Sequence, residues 1–313
     1  MTHRLSLSTI YSQFGEELGL SWVAGQAAAE EIWIGSSRPG SRPSLVGFLN
    51  LIHPNRIQVV GEEELSWLDG LDARTRWETL ARIVDAHPAA VIIAGGMEVA
   101  RDLEQAARDS NTALLRAQRP AWELVHFLES RIARALAPKT TLHGVFMEVF
   151  TLGVLITGEP GTGKSELALE LVSRGHRLIA DDAPEFTKIT PDTIEGTCPD
   201  LLRDYLEVRG LGLLNIRRMF GDAAIKTSKY LRLIIHLHMP DQSRDKDDRL
   251  RGNFDVRDVL ELEIPQIHVP VLAGRNLAVM AEVAVRDFML RLKGFDAGRE
   301  FMERHAALMS EDP

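Results

Sequence analysis

Two hydrophobic periods take turns along this chain. Short apolar runs at residues 56–60 and 89–94 read as buried strands, while residues 12–19, 73–86 and 98–107 carry apolar side chains at helical spacing. Strand and helix alternating in this way predict a small N-terminal α/β domain. From Pro120 to Leu136 the positions of Trp122, Leu124, Val125, Leu128, Ile132 and Leu136 predict one amphipathic helix, opened by a proline and followed by Pro138. A domain boundary is expected here, giving an N-terminal domain over 1–132 and a second domain over 133–313.

The second domain opens on residues 140–150, a strand-like stretch with Phe146, Glu148 and Phe150 on one face and Val145, Met147 and Val149 on the other. Residues 153–157 form an apolar, β-branched run. Leu167, Leu169, Leu171 and Val172 then lie among strong helix formers, ended by Gly175. Residues 176–180 read as a further strand, and 231–237 as another that puts His236 and His238 on one face, an arrangement more typical of core or surface histidines than of a metal site. Residues 264–277 are extended and lead into a helix over 276–293, with Leu277, Met280, Ala281, Ala284, Phe288 and Leu292 at helical spacing.

At 313 residues, 45% apolar and 26% charged, the composition is that of a globular protein with room for two cores. The formal charge of -9 argues against nucleic acid as the main partner. Cys198 is the only cysteine, which excludes an intramolecular disulfide and fits a reducing, cytoplasmic setting. No uninterrupted apolar stretch approaches a membrane-spanning length, so a soluble protein is expected.

Between the strand over 153–157 and the helix behind it stand Gly158, Glu159, Pro160, Gly161, Thr162, Gly163, Lys164 and Ser165, which fit G-x-x-x-x-G-K-[ST]. In that context the turn's backbone N–H groups and the helix N-terminus would face the phosphates of a nucleotide, Lys164 would reach the outer ones, and the Ser165 hydroxyl would ligate Mg²⁺. Asp181 and Asp182 follow seventeen and eighteen residues after Lys164, at the end of what reads as a neighbouring strand. One carboxylate there suits the metal or its waters, and the other suits proton acceptance from an attacking hydroxyl. Glu207 and Arg209 are expected on one strand face, with Gly210 and Gly212 marking either close backbone approach or a bend. Residues 35–43 and the mixed-charge run 241–251 read as solvated loops. Gly95 and Gly96 read as a turn.

Taken together these stretches resemble the HPr kinase/phosphorylase family. The resemblance is carried by Thr141-Leu-His-Gly144, by residues 158–166, by Arg174-Gly-His-Arg-Leu-Ile-Ala-Asp-Asp182, by Glu207-Val-Arg-Gly-Leu-Gly212 and by Gly274-Arg-Asn276, with looser matches at Gly47-Phe-Leu-Asn50 and Asn55-Arg-Ile-Gln-Val59. It implies a C-terminal P-loop domain of phosphoenolpyruvate-carboxykinase-like type, a homohexamer, ATP and Mg²⁺ as cofactors, and phosphorylation of a serine on the phosphocarrier HPr in carbohydrate regulation. It also implies a phosphorolytic reverse reaction that consumes phosphate and yields pyrophosphate. Matched motif by motif, His143, Lys164, Asp182 and Arg249 are implied to be catalytic, and Ser165 and Glu207 to bind the metal. Two departures matter. Pro160 stands where the family usually has serine, and Leu272 and Ala273 replace an arginine and a proline in a region associated with dephosphorylation. The forward reaction is therefore expected to dominate. Two other readings of the same phosphate loop stay open at this point: a small-molecule kinase, and a nucleotide-dependent switch without catalysis.

Overall fold

The computed structural model describes residues 5–34, 45–239, 254–272 and 274–311. The chain divides into two compact units, Met1–Ala137 and Pro138–Pro313. In the first, strands Val46–Phe48, Ile57–Val60, Ala90–Ile93 and Leu114–Arg116 run parallel in that order, and Ser21–Ala24 closes the far edge antiparallel. Helices cover both faces: Ile57, Val59 and Ile92 pack towards Leu124, Leu128 and Ile132, whereas Val60, Val91 and Ile93 pack towards Leu80, Ile83 and Leu103. Burial on both sides is why these strands read as unbroken apolar runs rather than alternating ones.

The expected helices form, with shifted ends. The first runs from Leu7 to Leu18, because the Ser6 hydroxyl accepts the Thr9 N–H and starts it well before Ser12. The helix expected over 98–107 is Arg101–Asp109, delayed by the left-handed turn at Gly95 and Gly96. The helix bracketed by prolines is Ala121–Leu136.

The second unit is built around Ser228–His238, eleven residues long. One edge pairs in parallel with Leu152–Gly158; the other pairs first with Thr193–Thr197, antiparallel, and then with Leu262–Pro270, parallel. Val145–Val149 lies antiparallel on the outer side of Leu152–Gly158, and Arg177–Ala180 lies outside that. The strand that delivers Asp181 and Asp182 is thus not the immediate neighbour of the loop strand, as the sequence suggested, but the next one out. The stretch over 140–150 is also not one strand: Lys139–Thr141 pairs with Glu185–Thr190, and the chain breaks at Leu142 to Gly144 before Val145–Val149 begins. The predicted alternation survives inside the second piece, where Val145, Met147 and Val149 join one core and Phe146 the core on the opposite face.

Candidate active site

The loop strand ends at Gly158, where φ is 151° and a Cβ would stand 2.6 Å from the Leu237 carbonyl oxygen and 2.9 Å from Thr162 Oγ1. Only glycine fits that passage. Gly161 and Gly163 both sit at φ 86°, turning the chain so that Gly163 caps the helix Lys164–Ser173. Among the described residues no side chain caps this helix, so its first N–H groups are open to a ligand. Thr162 Oγ1 donates to the Glu159 carbonyl at 2.9 Å and braces the turn. Lys164 Nζ is folded inward, donating to the carbonyls of Gly158 at 3.0 Å and Glu159 at 3.1 Å. Ser165 is half-buried in the first helical turn.

The two adjacent acids, equivalent by sequence, have different surroundings. Asp181 is buried, and its Oδ2 accepts the Glu207 N–H at 2.8 Å. Burial pushes its carboxyl pKa up, opposed by the backbone N–H groups of Glu207 and Asp182. Asp182 is exposed, sits at φ 65°, and accepts the Gly144 N–H on its own carbonyl at 3.1 Å. Gly144 in turn has no room for a Cβ, which would lie 2.3 Å from the Ile156 carbonyl oxygen. Val145, the next residue, pairs with Ile156 of the loop strand, two residues before Gly158. His143, in the break between the two strands, places Nδ1 3.7 Å from Asp182 Oδ1, with both side chains in solvent.

Glu207 and Arg209 do not share a strand face. Tyr205–Val208 and Gly212–Asn215 form a hairpin, so Arg209 belongs to the turn. Gly210 and Gly212 stand in open space at φ 86° and 83°; the bend, not close approach, requires them. Leu206 and Val208 are buried beneath, leaving Glu207 outward. Arg249 and the rest of 241–251, together with 35–43 and Ala273, lie outside the described residues.

On the other side of the loop a cavity of about 460 Å³ is lined by Gly161, Thr162, Gly163, Glu166, Leu167, Glu170, Val271, Arg275, Asn276 and Leu277. Asn276 caps the helix Leu277–Leu292 by accepting the Val279 N–H, while its amide donates to Glu170 of the loop helix at 2.7 Å. A second tie joins the C-terminal end of the loop helix to the second turn of Leu277–Leu292: Glu282 accepts from Arg174 at 2.6 Å and meets His176 Nε2 at 2.9 Å. Sequence reading found Asn276 but neither partner set, since the pairs are more than a hundred residues apart and carry no local signature. Thr157, below the loop, meets His236 Nδ1 at 3.0 Å, and burial with neighbouring His268 and His238 lowers the His236 pKa.

Arginine holds the Glu282 carboxyl down at about 2, against an ordinary value of 4.5. A depressed acid pKa contributes stability above the unfolded value and loses it as pH falls through the folded one. Glu282→Gln is therefore expected to cost about 2 kcal/mol at neutral pH, with its thermal midpoint converging on that of the parent as pH is lowered from 4.5 towards 2. Melting curves of both proteins across that range check it.

A family model described as the HPr serine kinase C-terminal domain matches residues 134–305, and one described as the HPr serine kinase N terminus matches 5–131. The chain belongs to the HPr serine kinase family. Within that family, the HPr kinase/phosphorylase of Xanthomonas campestris pv. campestris (strain B100) is 52% identical over 312 residues, covering 99% of this chain and 98% of the relative. The HPr kinase/phosphorylase of Xanthomonas oryzae pv. oryzae (strain PXO99A) has the same identity and coverage. The solved Hpr(Ser) kinase/phosphatase from Coxiella burnetii is 33% identical and covers 52% of this chain and 98% of its own, with a TM-score of 0.48. The family's two-part organisation agrees with the α/β architecture expected from the sequence.

Proposed function

We propose that this chain transfers the terminal phosphoryl group of ATP to a serine hydroxyl of HPr, and in reverse removes it by phosphorolysis. Membership of the family and 52% identity to HPr kinase/phosphorylases across the full length support the substrate. The observation that carries the chemistry is the Gly144 N–H bond to the carbonyl of exposed Asp182, beside Val145, which pairs with Ile156 of the strand that ends in the phosphate loop.

The residues present fit a nucleotide with Mg²⁺. Gly158, Gly161 and Gly163 shape an open cradle, and Lys164, whose partners among the described residues are loop carbonyls, is free to turn outward. Among the described residues no group of three or more His, Cys, Asp or Glu side chains is arranged to hold a metal. Mg²⁺ bound with a nucleotide needs only one or two protein oxygens, and Ser165 and Glu207 are assigned to supply them. When bound, the ion neutralises charge on the transferring phosphoryl group. Asp182 takes the proton of the serine hydroxyl as that oxygen attacks the γ-phosphorus, and His143 lies beside it. Lys164 stabilises charge on the outer phosphate oxygens, and Arg249 is assigned the same task. In the reverse direction inorganic phosphate attacks phosphoserine, Asp182 returns the proton to the serine oxygen, and pyrophosphate leaves. A cytoplasmic homohexamer is the setting the family resemblance implies.

Incubation with ATP, Mg²⁺ and HPr is expected to yield a phosphoserine detectable by mass, and folded protein giving no product overturns the assignment. With Leu272 and Ala273 in place of the usual arginine and proline, pyrophosphate release from phosphoserine-HPr is expected to be slower than the forward reaction. Equal rates would refute that bias.

A further inference from the structure

The hairpin turn brings a second cation to the phosphate loop. Arg209 Nη1 stands 3.7 Å from where a Cβ on Gly161 would be, at the middle of the loop. The turn's backbone is held in place: the Glu207 N–H is bound by buried Asp181, the Leu211 N–H closes on the Val208 carbonyl at 3.0 Å, and Leu206 and Val208 are core residues. Arg203 pairs with Asp200, and Arg217 with Asp204 and Asp222, yet among the described residues the Arg209 guanidinium has no hydrogen-bond or carboxylate partner. Lys164, the start of a ten-residue helix and Arg209 thus all stand at one loop, where each favours negative charge on a ligand.

Building on the phosphate-loop reading above, we propose that Arg209 is a further phosphate-binding residue of this site, its guanidinium reaching from the hairpin turn to the phosphate chain of the bound donor. A planar guanidinium offers two parallel donors to phosphate oxygens, which a lysine does not. The site is thus tuned to polyphosphates, meaning the triphosphate in one direction and pyrophosphate in the other.

Titration calorimetry of the full chain with ATP and Mg²⁺, and separately with pyrophosphate, tests this. Arg209→Gln is expected to bind both about tenfold more weakly, and Arg209→Lys to fall between it and the parent. Should Arg209→Gln also melt earlier, affinity is measured well below its midpoint and normalised to the folded fraction. A loss of affinity per folded molecule upholds the proposal, and parental affinity overturns it. A parent chain that binds neither ligand overturns the phosphate-loop reading itself. A parent that binds both, with Arg209→Gln indistinguishable from it, removes only the role of Arg209.

Discussion

Asp182→Asn is expected to slow phosphoryl transfer to HPr about a thousandfold while leaving ATP affinity within about twofold of the parent. Asparagine keeps the size of the side chain and tolerates the left-handed backbone at φ 65°, so the bond from the Gly144 N–H to the carbonyl of residue 182 stays intact. What is lost is the carboxylate proposed to accept the serine proton. His143, with Nδ1 3.7 Å from Asp182 Oδ1, is unchanged in the variant. Single-turnover transfer at saturating ATP and HPr separates the chemical step from binding. A variant within tenfold of the parent would remove Asp182 from the role of base, and a nucleotide-dependent switch without catalysis would show no such dependence.

Lys164→Ala is expected to weaken ATP binding and transfer together, by about a hundredfold in kcat/KM. Its thermal midpoint should hardly move. The bonds from Lys164 to the Gly158 and Glu159 carbonyls are made by a partly exposed amine, and water takes over both acceptors when it is gone. Lysine at this position therefore serves the ligand more than the fold. Calorimetry paired with a melting curve decides the matter: ATP affinity equal to the parent's would show that the loop is not the phosphate cradle.

The phosphate loop was legible because the hydrophobic period changes across it, from the apolar strand before Gly158 to the helical spacing of Leu167, Leu171 and Val172 behind. The proline-bracketed helix over Ala121–Leu136 was legible for the same reason, with both stop signals present. Pairing was not. Nothing local to residues 176–180 says that Val145–Val149 lies between that strand and Leu152–Gly158, since register is decided by partners distant in sequence. The break at Leu142 to Gly144 was hidden because apolar alternation continues on either side of it. Likewise Asp181 and Asp182 look interchangeable in sequence. Only the fold shows that one is buried under the Glu207 amide and the other faces water. Of the segments that carry the family resemblance, Arg209 in 207–212 stands against the loop at Gly161, and Asn276 in 274–276 bonds to the loop helix at Glu170.

The left-handed backbone at Asp182 also shapes which sequences this position can sample. Holding a non-glycine residue there costs about 1 kcal/mol, a strain that glycine would release. Of the residue types that accept such a conformation readily, glycine and asparagine lack a carboxylate, and aspartate alone supplies one. Selection for heat resistance and selection for turnover therefore pull this codon apart. A library screened for thermal survival alone is expected to drift from aspartate towards glycine at 182, and, on the role proposed for Asp182, the resulting proteins would be sturdier and slower.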